Sequence, residues 1–332
     1  MDPLSQGVVG AVAAQQPTKR KHYIIATLLG FFSGLAPDLD ILIKSQHDPL
    51  FSLEFHRQFT HSIFFIPIGG FICASFFYYL FLRNREISFK ETYIYCTLGY
   101  LTHGFLDSCT SYGTQLFWPL SNHRVAWNTI SIIDPIFTLP LFILIFFAMF
   151  KRKKIYSYYA LIWILIYHSF GHIQKNRAEN IALDLAHSRG HLPTEIIAKP
   201  SFGNIILWKT IYTTDSQYHV DAVKLLLNTK IIPGTKVNKL NIKKSFPWLN
   251  KNSQQAKDIE RFRWFSNGYV SLSPKFPNRI IDVRYSMFPN DINALWGIEL
   301  NPNSNHKDHV KRVFNRRNHI DVYLKLLNMI SE

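Results

Sequence analysis

The chain has 332 residues, 47% of them hydrophobic and 15% aromatic, with 37 Lys+Arg against 22 Asp+Glu for a net charge of +15. That length allows one large or two ordinary domains with real cores, but the charge is uneven: residues 173–332 carry 24 of the Lys+Arg and 13 of the Asp+Glu, leaving the first half oily and the second basic. A basic half invites nucleic acid, yet its cations are scattered through strand-like segments, with Lys311-Arg312 and Arg316-Arg317 clustered, so solvated charge or attraction to anionic lipid head groups ranks first and nucleic acid is a minor option.

Asp2-Pro3 reads as a helix start, aspartate as N-cap and proline at the first helical position, with a helix running to about Gln16. Lys19-Arg20-Lys21 closes it, and basic residues that follow rather than precede the first apolar run argue against a secretory signal. Tyr23 to Ala36 is apolar but short of the ~20 residues a span needs, which suggests a truncated or re-entrant helix ending at Pro37-Asp38-Leu39-Asp40. His56-Arg57-Gln58-Phe59-Thr60-His61-Ser62 then abuts Ile63 to Leu82, the clearest crossing, where polar groups are costly unless partnered. Thr92 to Leu106 embeds His103, with Asp107 one turn later. After a polar, aromatic loop to Asn128, Ile130 to Phe150 is a second clear crossing interrupted near its start by Asp134-Pro135. Ile155 to Phe170 is the last candidate. Cys73, Cys96 and Cys109 fit no metal or redox spacing and read as small core residues.

Connections at 19–21, 83–90 and 151–154 hold ten Lys/Arg, those at 37–60 and 107–129 hold three, so the first set belongs to the cytoplasmic side. Alternate crossings then carry Asp38, Asp40, His56, His61, His103, Asp107, His123, Asp134, His168 and His172 to one outer face. Beyond residue 173, segments such as Trp208 to Thr213, Arg261 to Leu272, Arg279 to Met287 and Ala294 to Leu300 are short, aromatic and β-branched between Pro/Gly/Asn turns. They suggest a small antiparallel sheet with helices near 175–188 and 308–330. The expected architecture is a membrane α-helical bundle of about five or six transmembrane or re-entrant helices over residues 1–172, followed by a small, basic α+β soluble domain over 173–332 outside the cytoplasm.

Residues four apart share a helix face, so His103 and Asp107 join Asp38, Asp40, His56 and His61 as three nitrogen and three oxygen ligand candidates. Mixed His and carboxylate donors suit a divalent ion, zinc first and manganese or iron next, that activates water against an ester or phosphoester. Arg57 and Arg124 are the outer-face arginines; Arg57, enclosed by two histidines, is placed to orient an anionic substrate group, and Asp134 either caps its helix or supports the site. Each residue has a plainer reading, Asp38 as a cap, Asp40 as a turn residue, His103 as a hydrogen-bonded bundle histidine, and His123, His168, His172, His187 and His191 as interfacial or surface groups.

Gly34-Leu35-Ala36-Pro37-Asp38-Leu39-Asp40, His56-Arg57-x-x-Thr60-His61-Ser62, Gly99-Tyr100-x-x-His103-x-x-x-Asp107, Ser111-Tyr112-Gly113-Thr114 with Pro119, and Ile133-Asp134-Pro135 resemble the successive blocks of the YdjM/YbcI-type membrane-bound proteins. The resemblance covers about residues 1–172, and more weakly Phe202-Gly203-Asn204 ahead of Trp208. It implies a multi-pass protein of the bacterial inner membrane, a metal-dependent hydrolase with its metal on Asp38, Asp40, His56, His61, His103 and Asp107. The family commonly opens Met-Asp-x-Thr-His, whereas this chain has Gln6 where the histidine is expected. The leading expectation is hydrolysis of a lipid-associated or phosphorylated substrate at the outer face of the cytoplasmic membrane. The alternative is a non-catalytic membrane protein in transport, sensing or structure, although the crossings Ile63 to Leu82 and Leu139 to Phe150 carry few polar residues for a transport path.

Overall fold

A computed structural model describes residues 1–226, 228–315 and 319–331, with backbone alone at 319–323; the Arg316-Arg317 pair lies outside the described residues. The chain runs through helices α1 (Pro3–Gln15), α2 (Tyr23–Leu35), α3 (Phe51–Phe55), α4 (Ile66–Phe77), α5 (Phe89–Cys109), α6 (Pro135–Lys151) and α7 (Lys154–Ser188). Strands β1 (Glu195–Pro200), β2 (Leu207–Thr213), β3 (Gln217–Leu225) and β4 (Thr229–Asn238) follow, then α8 (Ile242–Ser245), α9 (Gln254–Phe265), β5 (Val270–Leu272), β6 (Arg279–Asp282), β7 (Trp296–Glu299), β8 (Lys311–Phe314) and α10 (His319–Ser331). Contacts group Met1–Ile43, Phe55–Ile173 and Phe202–Asn204 into one compact unit, and Lys44–Glu54, Gln174–Ser201 and the chain from Ile205 onward into another.

In the first unit α1 is the internal helix. Asp2 caps it by accepting from Ser5 N, with Pro3 in the first turn, and ten of its thirteen residues are buried, so it shows no polar face and packs against α2, α5 and α6. Its polar groups are partnered: Gln15 donates to Thr27 Oγ1 at 2.9 Å and accepts from Ser157 Oγ at 2.8 Å. Glycines bring the backbones together, because a Cβ at Gly99 of α5 would lie 2.4 Å from Gly30 O of α2. Small residues at a helix crossing allow this approach without a hydrophobic driving force.

Among the described residues two apolar helical stretches are long enough to cross a membrane, Arg20–Leu42, which is α2 with its flanking 3-10 turns, and Ile63–Leu82, which is α4 with a 3-10 entry and a π-helical exit. The segment expected to cross from Ile130 becomes helical only at Pro135, because Asp134 takes the extended N-cap conformation, and α6 is then 17 residues long. Phe32, Phe71, Ile72, Leu139, Phe142 and Leu165 are all exposed, giving this unit an apolar exterior.

The second unit has two four-stranded antiparallel meanders, β1-β2-β3-β4 and β5-β6-β7-β8, rather than the single small sheet expected. Trp208 pairs with Val223 and Ile211 with Val220, and every residue of β2 is buried. Ile211, Val220, Tyr269, Val283 and Ile292 share one core cluster. The segment expected as a strand over Arg261 to Leu272 is helical up to Phe265, the end of α9, and is strand only at Val270–Leu272; α9 has Ser253 as cap and Ile259, Phe262 and Phe265 buried. Aromatic content suggested a strand, but the three-residue spacing of those side chains and the Ser cap are helical signals. The helix expected over 308–330 begins only at His319, after β8.

Candidate metal centre

Three elements of the first unit deliver the candidate ligands. α2 gives way after Leu35 to a 3-10 turn, Ala36–Leu42, that holds Asp38 and Asp40. Phe59–His61 is a second 3-10 turn ending on His61, and α5 supplies His103 and Asp107 one turn apart. A Cβ at Gly104 would lie 2.3 Å from His61 O, so glycine there lets the His61 turn press on α5.

Asp38, His61, His103 and Asp107 each offer an atom within 4.8 Å of the others. His61 Nε2 and His103 Nε2 are 3.0 Å apart. Asp38 Oδ1 is 3.4 Å from His61 Nε2 and 3.3 Å from His103 Nε2, and Asp107 Oδ2 is 3.5 and 3.8 Å from the same atoms. Ligands ~2.0–2.2 Å from a tetrahedral ion stand roughly 3.3–3.6 Å from one another, which brackets most of these separations.

The outer partners decide what those atoms are. His103 Nδ1 is 2.6 Å from Gly34 O; a carbonyl only accepts, so Nδ1 carries the proton and Nε2 a lone pair. The Thr60 hydroxyl gives its one proton to Asp40 Oδ2 at 2.8 Å and accepts from His61 Nδ1 at 2.9 Å. His61 Nε2 is therefore also an acceptor. Two lone pairs and two carboxylate oxygens face one point, the arrangement a cation resolves.

Asp107 is buried, and its Oδ1 accepts from Gln6 Nε2 at 2.8 Å and contacts the Met1 amine. Its Oδ2 lies 2.9 Å from Arg57 Nε, yet neither atom has a hydrogen bond, so that oxygen stays available to the cage. Arg57 is 6% exposed. Its guanidinium also donates to Thr110 Oγ1 and stacks 4.6 Å from the Tyr112 ring. At φ +67° it occupies a left-handed conformation that costs a non-glycine residue about 1–2 kcal/mol. Its N–H donates to Asp40 Oδ2 and its carbonyl accepts from Gln115 N, which hold it there.

Asp40, His56 and His61 Nδ1 form a second group, but Asp40 is already supplied with donors from Thr60, Arg57 N and His56 Nδ1, the last at 2.7 Å. It braces His61 from behind, with the mostly buried His56 outside. Asp134 is elsewhere in its contacts: it caps α6 through Phe137 N and accepts from Tyr167 OH at 2.8 Å. Arg124 is buried and donates to the carbonyls of Tyr112 and Gly113. His123 and His172 are exposed, and His168 packs against Phe137. Sequence reasoning passed over Thr60 and the Gly34 carbonyl. Thr60 adjoining a histidine was a legible signal; a main-chain carbonyl leaves none.

The model of the family described as YdjM inner membrane protein matches residues 1–178, more than half of the chain. The uncharacterized protein YfhP of Bacillus subtilis (strain 168) is 31% identical over 124 residues. That match covers 37% of this chain and 36% of the relative's length. No solved structure matches.

Proposed function

This chain belongs to the YdjM inner membrane protein family, and on that footing we propose that it is a multi-pass membrane protein whose Asp38, His61, His103 and Asp107 hold a divalent ion, zinc first, for hydrolysis of an ester or phosphoester on a lipid-associated substrate. The observation that carries the reading is the convergence of four acceptor atoms whose roles Gly34 O, Thr60 and Asp40 have fixed. A bound ion of this kind supplies Lewis acidity and a nucleophilic water at neutral pH. The chain's own residues do the positioning. Gln6 and Arg57 orient Asp107, the Thr60–Asp40 pair orients His61, and Gly34 O orients His103. His61, His103 and Asp107 are sealed at 0% side-chain exposure while Asp38 is 27% exposed, so substrate reaches the group from the Asp38 side.

The competing reading is a proton shared between His61 and His103 in a structural cluster, which the same 3.0 Å contact would accommodate. Metal analysis of the detergent-purified protein separates the two. Wild type is expected to hold about one equivalent of ion, His61→Ala and His103→Ala close to none, and His123→Ala as much as wild type. Near-zero metal in all four refutes the proposal. A screen of phosphomonoester, phosphodiester and acyl-ester substrates then tests hydrolysis.

A further inference from the structure

Between α2 and α4 runs an apolar groove in two parts of about 650 Å³ and 430 Å³ that share Phe32, Phe76 and Phe77 as walls. One end reaches Leu39 and Thr60, the other Leu28 and Leu82. Along the helix from Gly69 to Leu82 this is ~20 Å at 1.5 Å per residue, longer than the ~15 Å of hydrocarbon in one leaflet. Its depth at the upper end comes from Gly69, where a Cβ would lie 2.3 Å from the Tyr100 ring.

The groove changes character where it meets the cage. Thr60 lines it and donates to Asp40, Tyr100 lines it and donates to Thr60 O at 2.8 Å, and Leu39 stands between Asp38 and Asp40. A long apolar trough whose lining includes Thr60, the hydroxyl that joins Asp40 to His61, fits one amphiphilic molecule. We propose that this groove holds the acyl chain of the substrate, which is therefore a membrane lipid cleaved at its head-group ester beside Asp38. The substrate assignment rests on the metal-hydrolase reading above; the binding of the chain does not. A second copy of this chain, the other occupant an apolar groove invites, would cover the walls but leave the continuity with the cage without a purpose.

The test uses the full chain in detergent micelles and phosphatidylglycerol carrying a pyrene-labelled acyl chain. Wild type is expected to bind the probe saturably. Ile72→Trp, which fills the groove from its wall, is expected to weaken binding at least fivefold with metal content unchanged, while Phe71→Trp, on the same helix outside the groove, binds as wild type. Leu28→Trp at the far end should reject a long-chain probe and spare a short-chain one, a selectivity that general misfolding does not produce. Equal binding by all four proteins overturns the proposal. So does a wild-type dimer that Ile72→Trp converts to monomer, because the groove then seats a second copy. Probe binding by a protein without metal would leave the lipid groove standing and remove the hydrolase reading, so the two failures are distinguishable.

Discussion

Gln6 stands where relatives are expected to carry histidine, and its contact explains how the exchange is tolerated. The side chain does not enter the four-atom cage; its Nε2 donates to the outward oxygen of Asp107, a task an imidazole N–H performs equally. Gln6→His is expected to keep the metal content of wild type, and Gln6→Leu to lower metal affinity roughly tenfold, the usual cost of losing an outer partner; titration against a competing chelator reads both. Thr60→Val, which removes the link from Asp40 to His61, should fall in the same range. In the second unit Lys209 is 2% exposed, and its amine donates to Ser286 Oγ and Asp291 O at 2.7 Å each. Burial pushes its pKa down to about 7, against an attraction from Asp291. Burial and then Lys209 push Lys199 the same way. An unfolded lysine titrates near ~10.4, so between about pH 7 and 10 the unfolded chain binds more protons, and stability rises with pH across that window and is flat below it with respect to Lys209. Lys209→Met should flatten that slope in thermal unfolding followed from pH 7 to 10.

At the scale of elements, the helix crossings set the cage. Gly30 of α2 and Gly99 of α5 leave no room for a side chain between them, since a Cβ on Gly30 would sit 2.4 Å from Gly10 O of α1 and one on Gly99 2.4 Å from Gly30 O. Gly99→Ala is expected to cost about 1–3 kcal/mol by overpacking and to shift His103, one turn along, away from Gly34 O. Reduced metal content beside a lowered melting temperature would show both effects; unchanged metal would separate the crossing from the site. In the second unit Arg261 of α9 joins Asp48, Glu54 and Asp258 through contacts of 2.6–3.0 Å. Three carboxylates gathered on one arginine repel when it is removed, and Arg261→Met should destabilise this unit by about 3 kcal/mol, measured by loss of α9 and sheet signal in thermal unfolding. The cap and proline of α1 were legible in the chain, as were His103 and Asp107 on one face of α5. α9 was not read as a helix, because Phe262, Trp264 and Phe265 carry strand composition, which outweighed the three-residue spacing of Ile259, Phe262 and Phe265 and the Ser253 cap.

For the whole molecule, the proposed multi-pass topology, argued from the asymmetry of basic connections, puts 19–21, 83–90 and 151–154 on the cytoplasmic side and Asp38, His61 and Asp107 near the opposite face. Single cysteines introduced at Asn84 and at Asn122, in a background with Cys73, Cys96 and Cys109 replaced, should differ in intact cells. A membrane-impermeant maleimide is expected to label Asn122→Cys and spare Asn84→Cys, and the reverse pattern would overturn the orientation. The sequence by itself determined the oily and basic halves, the apolar stretch Ile63 to Leu82 and the candidate ligands, because composition, hydrophobic length and residue type are local properties that survive without a fold. Which ligands share a point was decided by tertiary structure alone. Asp38 faces the cage and Asp40 braces it, though they lie two residues apart, because a 3-10 turn points them apart and His61 enters between them. The proton on each imidazole was likewise set by a hydroxyl and a main-chain carbonyl brought in from other segments, and no spacing in the chain encodes a carbonyl.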